Sequence, residues 1–313
     1  MKRAIVFPGQ GSQQVGMGKE IAEAFPVARY LFEEVDEALG QNLSRLMFEG
    51  PEAELTLTEN AQPAIMANSM AVLRVLEKEK GIKAETFATF FAGHSLGEYT
   101  ALCAARALSL PDTARLLKLR GKAMQKAVPE GEGAMAALLG FGMDKATPVI
   151  NAMARYGVCA IANDNSPEQV VISGKRKLVE QAIEMAKADS GVRAIMLPVS
   201  APFHCQLMQP AALAMEEALA GIELKIPLRP IVANVTAAAV SDPAEIKKLL
   251  VQQVAGMVRW RESVLFLAKQ GVVFALELGA GKVLSGLIRR TDPTMGMLAV
   301  SMPKDIDSFE TPN

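Results

Sequence analysis

Five residues, Gly93-His94-Ser95-Leu96-Gly97, restrict this chain more than any others. The apolar run before them, Thr86 to Ala92, has the length of a buried strand, and Glu98 to Leu108 after them is rich in Ala and Leu and predicts a helix. Gly-x-Ser-x-Gly between a strand and a helix is the pattern of a sharp turn that lifts a serine hydroxyl clear of the backbone. The glycines are required because Cβ atoms on either side of so tight a turn would clash. The pentapeptide alone is a modest signal; its place between strand and helix is the context that the motif needs.

At 313 residues the chain can bury a large core in one domain or two. Half of its residues are hydrophobic and its formal net charge is -1, without the basic surplus of a nucleic-acid binder. The three cysteines, Cys103, Cys159 and Cys205, stand far apart in no metal-ligand spacing, as expected of reduced, buried thiols. Met1 to Gly9 holds too short an apolar segment for a signal peptide, and no run has the length of a membrane span. A soluble cytoplasmic protein is expected.

Along the chain, residues 3–7 read as a strand stopped by Pro8 and followed by the glycine-rich turn Gly9-Gln10-Gly11-Ser12-Gln13. That turn fits neither phosphate-binding pattern: Gln14 stands where a dinucleotide fold needs glycine, and Lys19 is followed by Glu20 rather than Ser or Thr. Helical periodicity covers Lys19 to Leu39 with a break at Phe25-Pro26, then Gln62-Pro63 to Glu79, then Pro111 to Val128 with Ser109 as N-cap. The last of these carries Arg115, Lys118, Arg120, Lys122 and Lys126, a row that usually marks a solvated face. Residues 129–197 then read strand-helix-strand-strand-helix-strand, a ferredoxin-like order, and predict a small domain inserted into a larger one spanning 1–128 and 198–313. Beyond it, strands at Arg229 to Val235 and Val272 to Leu278 alternate with helices at Met208 to Leu219, Pro243 to Val254, Arg261 to Lys269 and Val283 to Arg290. Alternation of this kind predicts an α/β fold with a mostly parallel sheet. The polar tail after Met302 is expected to fray.

A serine is a poor nucleophile until a base takes its proton, and histidine is the usual base. The chain has two histidines. His94 adjoins Ser95, and successive side chains in a tight turn point apart. His204, in the irregular stretch Val199-Ser200-Ala201-Pro202-Phe203-His204-Cys205, is the better candidate. An oxyanion hole needs the amide after the nucleophile, here Leu96, and a second donor, for which the Gly9-Gln10-Gly11 turn is suited.

Phe7-Pro8-Gly9-Gln10-Gly11-Ser12-Gln13, Gly93-His94-Ser95-Leu96-Gly97-Glu98, Leu119-Arg120-Gly121 and Pro202-Phe203-His204 occur in that order, with Asn163-Asp164-Asn165-Ser166-Pro167 and Asn234-Val235 between or after them. Together they resemble the malonyl-CoA:acyl carrier protein transacylases of fatty-acid synthesis, from the N-terminus to about residue 302. The resemblance implies an α/β-hydrolase-like large domain with an inserted ferredoxin-like one. It implies Ser95 as nucleophile, His204 as base, the amides of Gln10 and Leu96 as oxyanion donors, and Arg120 as partner of the substrate's free carboxylate. It also implies that the base is oriented by a backbone carbonyl, that of Gln253, rather than by an acidic side chain. Phe203 stands where many stand-alone bacterial members carry serine; in related polyketide acyltransferases, phenylalanine there accompanies malonyl selection.

The reaction implied is ping-pong transfer of malonyl from malonyl-CoA to the phosphopantetheine thiol of acyl carrier protein. No metal or cofactor is implied, the partners are malonyl-CoA and the carrier protein, and a monomer is expected. Three rivals remain: a serine thioesterase or esterase on the same elbow, an acyltransferase of a polyketide-type pathway, and a non-catalytic carrier-protein binding module. A cation at Arg120 facing the acyl chain separates the first from a malonyl transferase.

Overall fold

Lys2–Phe7 forms strand β1, whose last four side chains are buried. Ile5 and Phe7 enter one hydrophobic cluster, and Ala4 and Val6 enter another on the opposite face. A strand buried on both faces belongs in the middle of an α/β sheet, and full burial of a ring such as that of Phe7 contributes about 2–3 kcal/mol. The computed structural model describes residues 1–199 and 201–310. The remaining strands are β2 (Phe90–Gly93), β3 (Gly133–Leu139), β4 (Cys159–Ser166), β5 (Gln169–Lys175), β6 (Arg193–Met196), β7 (Ile231–Ala233), β8 (Ala238–Val240), β9 (Val272–Leu278) and β10 (Gly296–Val300).

Six strands make one sheet in the order β10-β9-β1-β2-β7-β8, parallel throughout except for the β7–β8 hairpin. Four make a separate antiparallel sheet in the order β4-β5-β3-β6. One face of that small sheet, through Ala134, Ala136 and Leu138, packs on the helices Met143–Ala154 and Arg176–Ala186. Its other face, through Met135, Ala137 and Val171, joins the main core. The mostly parallel α/β sheet expected from the alternation of elements is thus present, with a second, antiparallel sheet beside it.

Backbone also ties the small sheet to the segment that precedes the Trp260–Lys269 helix. Asp164 N–H donates to the Val258 carbonyl and Val258 N–H to the Ala162 carbonyl, at 3.0 and 2.8 Å. Arg261 grips the buried Asp164 carboxylate through Nε, at 3.0 and 2.9 Å from its two oxygens, and through Nη2 at 2.8 Å. A bidentate pair of this kind is both strong and geometrically selective.

Several local expectations need correction. Thr86 to Ala92 is not one strand: Ala84–Phe87 is a helical turn, and β2 begins at Phe90. The helix expected from Gln62 begins at Thr58, so Pro63 lies inside it. Pro63 is the sixth residue of that helix, past the first four amides that lack helical acceptors, so it leaves the Glu59 carbonyl without its helical donor. The tail after Met302 does not fray at once: Pro303–Asp307 is a helix, and Phe309 is buried with its ring 6.4 Å from that of Phe87. Residues 311–313 lie outside the described residues. Among the described residues, no helix is long and apolar enough to cross a membrane.

Candidate active site

Phe7 pairs with Gly93 at the carboxyl ends of β1 and β2, so the glycine-rich turn and the serine turn leave the sheet side by side. The crevice outside such strand ends is where open α/β sheets carry their ligands. A Cβ on Gly93 would lie 2.0 Å from the Gly97 carbonyl carbon, and one on Gly97 would lie 2.3 Å from the Phe7 oxygen. The spacing of glycines in the sequence therefore encodes a backbone contact. Ser95 itself sits at φ 53°, ψ -109°, a strained conformation for a residue with a side chain. Asn234, just past β7, holds it there: its Oδ1 accepts the Ser95 N–H at 2.7 Å and its Nδ2 donates to the Gly93 carbonyl at 2.7 Å.

Ser95 Oγ lies 2.7 Å from His204 Nε2. On the far side of the ring, Nδ1 faces the carbonyls of Gln253 and Gly256 at 2.9 and 3.1 Å. Carbonyls only accept, so Nδ1 carries the hydrogen and Nε2 offers its lone pair to the serine. Those carbonyls are available because the Pro243–Ala255 helix ends there, leaving its last oxygens without helical donors. Burial, reinforced by the positive charge of Arg120, lowers His204 to about 3, so the ring is neutral at pH 7. The negative end of a helix and two carbonyl oxygens then await the imidazolium that proton transfer creates.

Arg120 is 1% exposed, although it belongs to a row of basic residues. The Leu110–Lys126 helix presses on the Thr58–Glu79 helix at Gly121, where a Cβ would lie 2.5 Å from the Glu59 Cα. That close crossing sets Arg120 beside Gln62. Its Nη1 donates to Gln62 Oε1 at 2.7 Å, and its Nη2 donates to Gln253 Oε1 at 2.9 Å and to Ser95 Oγ at 3.1 Å. Burial lowers its pKa, while Tyr99 and Glu98 pull it back, and a guanidinium remains charged in such surroundings. The surface reading of that row fails outright for Arg120 and in part for Lys118, which is half-buried against Gln41 and Asn60.

A cavity of about 170 Å³ opens over Ser95, lined among others by Gln10, Leu96, Arg120, Met124, Phe203 and His204. A larger cleft of about 950 Å³ lies elsewhere, along Met153, Tyr156 and Lys177, away from both histidines. Phe203 is buried in the cavity wall, one residue before the base. His94 turns away from the serine hydroxyl: its Nε2 lies 2.8 Å from Asn165 Oδ1 on β4, and its ring lies against Trp260. Among the described residues, no group of three or more His, Cys, Asp or Glu could hold a metal ion. Every sequence-predicted site residue thus meets at this cavity or directly behind it.

Three participants went unassigned at the sequence level. Asn234 supports the elbow, the Gln253 side chain bridges Arg120 and Ser95, and Glu98 lies behind both. Gln253 Nε2 donates to the Ser95 carbonyl at 2.9 Å and to Glu98 Oε2 at 2.8 Å. The amide orientation is unambiguous, because its oxygen faces a guanidinium and its nitrogen faces a carboxylate. Burial pushes Glu98 up to about 7, against the pull of Gln253, Asn234 and Arg120. Glu98 and Asn234 lie inside the sequence motifs, where a helix start and a strand end already explain them.

The acyl transferase domain model matches residues 4–292. The malonyl CoA-acyl carrier protein transacylase of Bacillus subtilis is 47% identical over 307 residues, covering 98% of this chain and 95% of that protein. The acyl-carrier-protein-S-malonyltransferase of Bartonella henselae superposes with a TM-score of 0.95 at 52% identity, covering 98% of each chain. A malonyl-transacylase solved in complex with a type II PKS acyl-carrier protein superposes at 0.94 with 43% identity, again covering 98% of each chain.

Proposed function

The chain belongs to the malonyl-CoA:acyl carrier protein transacylase family, and we infer that it moves the malonyl group from malonyl-CoA to acyl carrier protein by way of a malonyl ester on Ser95. The observation that carries the covalent route is a single contact set: Ser95 Oγ lies 2.7 Å from a neutral imidazole and 3.1 Å from a buried guanidinium.

In the first half-reaction His204 Nε2 takes the Ser95 proton as Oγ attacks the thioester carbonyl. The oxyanion is received by the amides of Gln10 and Leu96, and Arg120 grips the malonyl carboxylate. The C–S bond breaks, and the imidazolium returns its proton to the departing CoA thiolate. In the second half-reaction the phosphopantetheine thiol gives its proton to His204, its sulfur attacks the ester carbonyl, and Ser95 leaves with that proton. The Gln253 carbonyl keeps the ring in register through both halves, and Phe203 limits substitution at the acyl α-carbon. The protein supplies every proton acceptor and donor needed, so the reading includes no metal or cofactor.

The same reading assigns residues 1–128 and 198–313 to an α/β-hydrolase-like catalytic domain, and residues 129–197 to an inserted ferredoxin-like one. The strand order β6-β3-β5-β4 supports the latter. It places the enzyme in the cytoplasm as a monomer, acting on a carrier of fatty-acid synthesis. The likeness to a transacylase solved with a PKS carrier favours a polyketide carrier as the second reading.

Incubation with malonyl-CoA followed by peptide mass spectrometry tests the core of it. A malonyl adduct on Ser95, discharged by holo carrier protein, is expected. Continuous release of CoA without carrier protein at the full turnover rate would replace transfer by hydrolysis.

A further inference from the structure

Ser95-Leu96-Gly97-Glu98 has the Ser-x-x-Glu spacing of a helix capping box, in which the serine side chain caps the third helical amide and the glutamate reaches back to the serine amide. The molecule makes neither bond. Ser95 gives no side-chain cap to the Leu96–Ala104 helix, its hydroxyl engages His204, and its N–H goes to Asn234. Glu98 is nonetheless 2% exposed. Burying a carboxylate is costly unless its oxygens are well used, so its partners matter.

Oε2 of Glu98 accepts the Asn234 N–H at 3.1 Å and Gln253 Nε2 at 2.8 Å. Each partner in turn holds one half of the reacting pair. Asn234 Oδ1 receives the Ser95 N–H, and the Gln253 carbonyl receives His204 Nδ1. Asn234 follows β7, and Gln253 lies near the end of the Pro243–Ala255 helix, so the two anchors come from different elements. The carboxylate that joins them projects from the first turn of the helix that carries the nucleophile.

We propose that Glu98 is a positioning residue for acyl transfer, fixing the distance and angle between Ser95 Oγ and His204 Nε2 by tying both Asn234 and Gln253 to the nucleophile's helix. It touches neither the acyl group nor the reacting atoms. The Gln253 amide lies between Glu98 and Arg120, nitrogen toward the carboxylate and oxygen toward the guanidinium. Arg120 is held independently by Gln62 Oε1 at 2.7 Å, so the cation keeps an anchor of its own. What matters in this arrangement is an acceptor oxygen at the right place, so a neutral acceptor of the same length serves nearly as well. A charged acceptor one methylene shorter does not.

The inference rests on the Ser95–His204 reading above, and the test separates the two. Glu98→Gln and Glu98→Asp are compared with the unchanged chain in two measurements on full-length protein with native far-UV circular dichroism. One is single-turnover malonylation by malonyl-CoA, and the other is the rate of Ser95 labelling by a fluorophosphonate. Displacement of a catalytic group by about 1 Å costs roughly a hundredfold in rate. Glu98→Asp is therefore expected to slow both reactions roughly 30- to 100-fold, with the half-saturating malonyl-CoA concentration moving less than about threefold. Glu98→Gln stays within about tenfold of the unchanged chain. The proposal is overturned if Glu98→Asp reacts as fast as Glu98→Gln or faster, or if the loss falls on half-saturation rather than on rate. Failure of the unchanged chain to label at Ser95 overturns the dyad itself.

Discussion

Arg120 Nη2 stands 3.1 Å from Ser95 Oγ, so the fully buried cation touches the nucleophile directly. An acyl group attacked by that serine and also carrying a carboxylate reaches the guanidinium within its own short length. The cavity of about 170 Å³ leaves little room for a longer one.

Arg120→Ala should therefore discriminate between acyl groups. Breaking a buried ion pair costs about 3–5 kcal/mol, and each 1.36 kcal/mol is about tenfold in rate. A loss of roughly a hundredfold or more in kcat/KM for malonyl-CoA is expected, with acetyl-CoA unaffected or improved. Parallel measurement of both substrates checks it; equal losses would remove Arg120 from carboxylate recognition.

The pH dependence follows from the depressed pKa of His204. Its base form is neutral, and burial with Arg120 nearby keeps it neutral down to about pH 3. The kcat/KM profile should then show no His204 inflection near 6.5, where an unperturbed histidine titrates. Stability moves the other way. Between about pH 3 and 6.5 the unfolded chain binds a proton at this position that the folded chain does not, so stability against unfolding falls as pH falls through that window. His94, lowered by burial, acts in the same direction. Urea titrations from pH 7.5 to 4.5 should give a shallower pH slope for His204→Asn than for the unchanged chain.

The parts of this site that a sequence displays are those fixed by steric demand or by scarcity. Gly93 and Gly97 are legible because no other residue fits where they touch, and His204 because only one other histidine competes with it. Backbone carbonyls leave no such mark: any residue could supply the oxygen given by Gln253, and the assignment came only through the family's motifs. Glu98 and Asn234 were hidden differently, since a helix start and a strand end already explained them. In the fold, alternation of strands and helices was enough for the parallel sheet. The Thr86 to Ala92 run misled because a short, mostly apolar stretch lacks the periodicity that separates a helical turn from a strand. Ile306 and Phe309 pull the tail back onto the body, two apolar side chains among polar neighbours.

Gly97→Ala should be far more damaging than an ordinary Gly→Ala change in a helix, which is stabilising or neutral where the space is free. Its Cβ would lie 2.3 Å from the Phe7 oxygen and 3.0 Å from that of Pro8, and both are backbone atoms that cannot swing aside. A loss of about 2–4 kcal/mol in urea unfolding is expected, as for other severe overpacking. Fluorophosphonate labelling of Ser95 should fall as well, because β1 and the elbow must part to admit the methyl group. Stability within 0.5 kcal/mol of the unchanged chain, an approximate threshold for a neutral surface change, would show that the turn is looser than its contacts imply.

Phe203 bears on selectivity at the acyl α-carbon. Its ring is buried in the wall of the cavity that Arg120 and Met124 also line, one residue from the base. An α-methyl needs the space of roughly one methylene more than malonyl does, a difference worth about 1–3 kcal/mol in a packed pocket. Phe203→Ser enlarges the wall without touching Ser95, His204 or Arg120. The ratio of kcat/KM for methylmalonyl-CoA over malonyl-CoA should rise roughly 10- to 100-fold, chiefly through gain on the branched substrate. Competition between the two thioesters for holo carrier protein, read by mass spectrometry of the acylated carrier, measures the ratio directly. An unchanged ratio would move the selectivity to other side chains of the lining, of which Met124 and Met135 are two large apolar ones.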